Sequence, residues 1–112
     1  MQKILTFTID SIAYDSKNVE NVLNEACSGR REKYWVRGGS QVDENVYFLL
    51  LRQPKGRQSE KYHLAPLEDT TRDGMTSMLE QRWESGFDTI TTIDLGEDTF
   101  LILVAECKNR LD

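Results

Sequence analysis

Apolar and polar positions alternate along "KILTFTID", Lys3 to Asp10, with Leu5, Phe7 and Ile9 on one side and Thr6, Thr8 and Asp10 on the other. A period of two predicts a strand with one buried face. The period then lengthens. Val19, Val22, Leu23, Ala26 and Cys27 recur at helical spacing, after the candidate caps Asp15 and Ser16 and before the stop at Gly29. That pattern predicts an amphipathic helix. "KYWVRGG" reads as a short strand and "SQVDEN" as a polar turn, while Val46 to Leu51 is apolar at every position. A strand of the last kind asks for cover on both faces and so for a central place in a sheet.

The second half runs through the same order. Lys61 to Leu67 predicts a strand that Pro66 confines to an edge or a strand end. Thr70 or Thr71 caps a helix whose apolar stripe is Met75, Met78, Leu79 and Trp83, and Gly86 supplies the left-handed residue after its last turn. "FDTITTIDL" is then a strand, "GED" a turn and "TFLILVAE" a second continuous apolar strand. A shift of 56 carries Val19, Val22, Leu23 and Cys27 onto Met75, Met78, Leu79 and Trp83. A shift of 54 carries Val46–Leu51 onto Phe100–Ala105, and the acidic turn Asp43–Glu44 onto Glu97–Asp98. The expectation is therefore a single domain over residues 1–112, with a candidate internal repeat of 1–53 and 60–107. The expected fold is α+β: a two-layer sandwich with two helices on one face of a mainly antiparallel sheet. Its topology would be a duplicated βαββ, or ferredoxin-like with one extra strand.

Composition narrows the class. At 112 residues the chain is long enough to bury a core without staples, and 38% hydrophobic against 29% charged residues points to a thin core under a well-solvated surface. No apolar run reaches the roughly 20 residues a membrane helix needs, and "MQKILTFTID" has no signal-peptide core. A cytoplasmic protein is expected. Cys27 and Cys107 stand far apart and outside any CxxC spacing, so they read as small core residues. With His63 as the single histidine, no metal site is expected, nor any cofactor.

Charge is unevenly placed. Residues 30–61 hold eight basic and four acidic residues, a net +4, which leaves −9 on the remainder of a chain whose net charge is −5. Within that segment, "RREKYWVRGGS" and "RQPKGRQSEKY" interleave bases with Tyr34, Trp35 and Tyr62. Such a composition suits stacking on bases and neutralising phosphates. The candidate binding patch is Arg30, Arg31, Lys33, Tyr34, Arg37, Arg52, Lys55, Arg57 and Lys61. The plainer reading makes "QPKGRQSE" an exposed hairpin tip and turns Tyr34 and Trp35 inward, and the acidic remainder would repel nucleic acid.

No catalytic residue is expected. His63 would need a nucleophile or an orienting carboxylate in reach, and no nucleophile elbow, P-loop or dinucleotide glycine motif occurs. Neither Asp43–Glu44 nor Glu97–Asp98 has the alternating spacing of a calcium loop, and Glu80 and Glu84 read as a solvated helix face.

At "MLEQRWESGFDTITTIDLGEDTFLILVAE", Met78 to Glu106, the chain resembles a family of small bacterial domains of unknown function. Their pattern is a helix, then Glu-Gly-Trp-Glu-Leu or similar, a polar hairpin and an apolar last strand. Glu84, Gly86, Phe87 and Asp88 stand in the comparable places, with Phe87 in place of the usual Trp and Ser85 inserted before the glycine. The resemblance covers about a quarter of the chain and implies a compact cytoplasmic α+β module, without an activity to carry over.

Three functions follow from these features. The leading one is a non-enzymatic interaction or assembly module, a homodimer or a protein-binding unit, because six strands outnumber the helices available to cover them. The second is a ligand binder or enzyme of the dimeric ferredoxin-like kind. Its pocket would lie between helices and sheet, lined from Trp35, Tyr47, Phe48, Trp83 and Phe87. The third is RNA or single-stranded DNA binding through residues 30–61.

Overall fold

The computed structural model describes residues 2–29, 32–54, 60–67, 69, 71–96 and 99–106. In chain order the elements are β1 (Gln2–Thr8), α1 (Ile9–Tyr14), α2 (Ser16–Cys27), β2 (Trp35–Gln41), β3 (Val46–Arg52), β4 (Tyr62–Pro66), α3 (Arg72–Glu84), β5 (Phe87–Gly96) and β6 (Thr99–Glu106). The fold is α+β with antiparallel pairing throughout, but the strands form two sheets, not one. Their orders are β1-β3-β2 and β4-β6-β5. In each sheet the third strand of its half lies in the middle, so both halves arrange strand–helix–strand–strand alike.

The two continuous apolar strands are the two central ones, as their sequences require. β6 is buried at four successive residues, Ile102 to Ala105, and so has cover on both faces. β3 is not: Tyr47, Leu49 and Leu51 are buried, while Val46, Phe48 and Leu50 on the other face are half-exposed. Cover for two faces was expected there and only one is covered.

The first strand ends earlier than its alternation suggests. Thr8 caps a helix, its hydroxyl accepting a hydrogen bond from Ser11 N–H at 3.1 Å, and α1 buries Ile9 and Ile12. Ile9 sits in phase with Leu5 and Phe7, which hides the helix start from a period-two reading. α2 follows as expected and buries Val19, Leu23 and Cys27, together with the carboxylate-bearing Glu20. Its stripe enters a core shared with Leu49 and Leu51 of its own half, while its Glu20 and Asn24 side chains bond to β4 of the second sheet.

One core joins these parts. Ile12 and Leu23 from the helices, Leu49 and Leu51 from the first sheet, and Tyr62 and Leu103 from the second belong to a single buried cluster. The sheets themselves adjoin where β2 runs beside β5. Gly39 lets β2 and β3 close up inside this core, since a Cβ there would lie 2.7 Å from the Tyr47 ring and 2.8 Å from the Phe48 carbonyl.

α3 departs most from expectation. Its start and stop are legible: the Thr71 hydroxyl accepts from Gly74 N–H at 3.2 Å, and Gly86 has φ +90°. Asp69 reinforces that start, accepting from both the N–H and the hydroxyl of Thr71, which holds its carboxyl below the usual carboxylate range. Yet no residue of the helix is buried, and Leu79 and Trp83 are 36% and 46% exposed. The stripe was expected to seal a core. The helix lies beside β5 with its stripe unburied.

Candidate interaction surface

Four strands stand at sheet edges: β1 and β2 in the first sheet, β4 and β5 in the second. An edge exposes unpaired backbone groups and invites another strand, so proteins blunt edges with bulges, proline, charge or cover. Among the described residues, three of these four are broken by a bulge or proline or covered by other side chains.

β4 is covered by α2. The Asn24 side chain behaves as a peptide unit laid along the strand: its Oδ1 accepts from Tyr62 N–H at 2.7 Å and its Nδ2 donates to the Tyr62 carbonyl at 2.9 Å. One turn earlier, Glu20 Oε1 accepts from Leu64 N–H at 2.6 Å. Pro66 ends the strand. These pairings explain why Glu20 is buried in a helix whose pattern leaves it on the polar side.

β2 is interrupted by a bulge between Val36 and Gly38, and its edge faces the second sheet. The Tyr62 hydroxyl accepts from Val36 N–H at 2.8 Å and donates to Glu60 Oε2 at 2.6 Å. Burial, with the Glu60 hydrogen bond second, pushes this phenol far above the usual tyrosine range. Arg37 reaches the same Glu60 oxygen at 3.7 Å, stacks 4.4 Å over the Trp35 ring and donates to the Val36 carbonyl. β5 carries irregularities between Thr89 and Thr91 and between Asp94 and Gly96, and its Thr92 carbonyl accepts from Tyr47 Oη at 3.3 Å.

Among the described residues β1 has no bulge, proline or cover along its edge, and its one charged side chain is Lys3. All seven residues pair with β3 in unbroken register, and the strand contains no proline, glycine or bulge. The face it shares with β3 and β2 away from the core carries Ile4, Phe48, Leu50 and Trp35, with Val42 just past the end of β2. Ile4 and Val42 are each 61% exposed. α1 and α2 contribute to the core on the opposite side, where Leu5 and Phe7 point.

The charged patch expected from the sequence is only partly assembled. Arg30, Arg31, Lys55 and Arg57 lie outside the described residues. Tyr34 is buried, donates to Glu32 Oε2 at 3.0 Å and takes Lys3 Nζ 4.1 Å over its ring. Lys33 forms a bridge with Ser28, Arg37 is engaged with Trp35 and Glu60, and Arg52 and Lys61 are exposed. The aromatic set does not converge either. Tyr47 is in the core, Trp35 and Phe48 lie on the outer face of the first sheet, Trp83 is on α3, and Phe87 lies beside His63.

His63 has the carboxylate its chemistry would ask for. Its Nε2 lies 2.7 Å from Glu106 Oε1, and its ring meets Phe87 edge-on at 5.8 Å. Register explains the contact: His63 faces Val104 across β4 and β6, and Glu106 is the next residue on that face. Among the described residues no three metal-ligating side chains gather in one place, and no helix is long and apolar enough to cross a membrane. Asp43 instead shapes its own turn, accepting from the N–H groups of Asn45 and Val46, whereas Glu97 and Asp98 fall outside the described residues. Cys27 is a free, buried thiol that burial pushes up to about 11, against nucleophilic use; Cys107 also lies outside the described residues.

In comparisons with family models, curated proteins and solved structures, nothing matches this chain.

Proposed function

We propose that the protein is a small cytoplasmic interaction and assembly module that associates with itself through its first sheet. The observation that supports this reading is the outer face of β1-β3-β2, where Ile4 stands 61% exposed beside Phe48 and Leu50. Contiguous apolar surface of this kind marks interaction sites on soluble proteins. The ferredoxin-like relation suggested by the sequence concerns one sheet; the order within each half, with β3 between β1 and β2 and β6 between β4 and β5, is what supports a related reading. The resemblance of residues 78–106 to small bacterial domains agrees with a compact module.

Light scattering over a concentration series, at low and high salt, tests the reading. The expected result is a dimer that persists at high salt, because an apolar contact is not screened. Ile4→Glu would place a charge in that face and raise the dissociation constant at least tenfold. A wild-type chain that stays monomeric at every concentration would exclude the proposal, and a dimer that salt dissolves would assign the contact to the charge asymmetry instead.

A further inference from the structure

The direction in which the backbone of β1 points can be worked out. Ile9 N–H donates to the Asn45 carbonyl at 2.8 Å, and this pair continues the register in which Thr8 faces Val46. In an antiparallel ladder, pairs that exchange hydrogen bonds alternate with pairs that do not. Phe7, Leu5 and Lys3 therefore point their N–H and C=O groups at β3. Thr8 and Val46 fall in the non-exchanging class, and Val46 agrees, since its carbonyl accepts from Val42 N–H on the other side. The backbone groups of Gln2, Ile4 and Thr6 point the opposite way, to the side on which no described strand pairs with β1.

We infer that a second copy of this chain occupies that edge, its β1 antiparallel to the first about a two-fold axis at Leu5. This rests on the self-association proposed above and specifies its geometry. Parity allows only registers that bring the outward residues Gln2, Ile4 and Thr6 into exchanging pairs. Centring on Leu5 does so while using the whole strand: Ile4 faces Thr6 of the other copy, and Gln2 faces Thr8. The axis then sets Leu5 against Leu5 as a close, non-exchanging apolar pair.

Charge agrees with this occupant. Lys3 is the one ionised side chain in β1, and in this register it faces Phe7, not a second Lys3. A like-charged pair across the axis would have counted against it. The contrast among edges points the same way: among the described residues, bulges, a proline and the side chains of Glu20, Asn24, Tyr47 and Tyr62 occupy the other three, and β1 keeps an unbroken ladder. The product is one sheet ordered β2-β3-β1-β1-β3-β2. The Ile4, Phe48 and Leu50 faces of both copies run together across it, which is why a charge at Ile4 would also weaken the pairing.

Proline reads the geometry directly. Thr6 is exposed and its N–H points outward, so Thr6→Pro removes no hydrogen bond to β3 and is tolerated at an edge. It does block pairing with a second strand. The expected result is a Thr6→Pro chain with wild-type circular dichroism that is monomeric at concentrations where the wild type is dimeric, its dissociation constant raised at least tenfold. Where Thr6→Pro fails to fold, amide exchange of the wild type decides: Ile4 and Thr6 amides should gain at least tenfold protection as concentration rises through the association range. Exchange there that does not depend on concentration overturns the pairing. A folded Thr6→Pro dimer that Ile4→Glu still dissociates overturns the edge geometry and leaves face-to-face association standing. A wild-type monomer throughout removes both.

Discussion

The phenol of Tyr62 takes a hydrogen bond from one sheet and gives one to Glu60, within an interior that excludes water. Tyr62→Phe keeps the ring but leaves the buried Val36 N–H without an acceptor, while Glu60 keeps its ion pair with Arg37. Leaving such groups unsatisfied costs about 1–3 kcal/mol, to be read as a lowered midpoint in urea with an unchanged slope. Cys27 gives a pH signature. Its thiol is raised from 9.0 to about 11 in the fold. A group whose pKa is raised by folding adds stability that is complete below its unfolded value and falls away as pH climbs towards the folded one. Stability should therefore decline between pH 9.0 and about 11, and part of that decline should vanish in Cys27→Ala, measured by denaturation at successive pH values. Neither role is written locally. Tyr62 was legible as a strand aromatic beside a basic run, and Cys27 as a core residue; the partners of both come from segments remote in the chain.

Among the elements, period and punctuation carried furthest where a central strand or a capped helix was at stake. β3, β6, α2 and the two ends of α3 stand where their patterns put them. Patterns say less about which surface an apolar stripe meets. The stripes of α2 and α3 look alike in sequence, yet Leu23 is 1% exposed and Leu79 is 36% exposed. Mutation should separate them. Leu23→Ala would cost about 2–5 kcal/mol through the cavity it leaves, whereas Leu79→Gln should stay within about 0.5 kcal/mol of wild type. Equal losses at both positions in thermal or urea unfolding would show that α3 seals a core after all. The candidate surface was legible in part. The surplus of apolar strands over helices predicts uncovered sheet, but not that α2 would bond to the edge of β4 through Glu20 and Asn24, polar residues that no hydrophobic count registers.

At the scale of the molecule, the two similar halves are not two independent units. α2 is bonded to β4 of the other half, and the buried cluster draws on both. A chain ending at Gln53 would strip Tyr62, Ile93, Leu103 and Ala105 from the cluster that holds Val19, Leu23 and Cys27, so fragments 1–53 and 60–107 should each be unfolded by circular dichroism and regain structure only when mixed. A fragment that folds alone would mean that the halves share less than their common core implies. Among the described residues the halves are joined by side chains: one carboxamide and one carboxylate from α2 onto β4, and two phenols between the sheets. A backbone ladder repeats every second residue, so two strands can mispair by sliding two places and keep most of their bonds. A seam pinned by single groups at fixed positions has no such near-match. While the halves assemble, every shifted docking forfeits all its polar contacts at once, and the chain is steered to one alignment of two otherwise similar sheets.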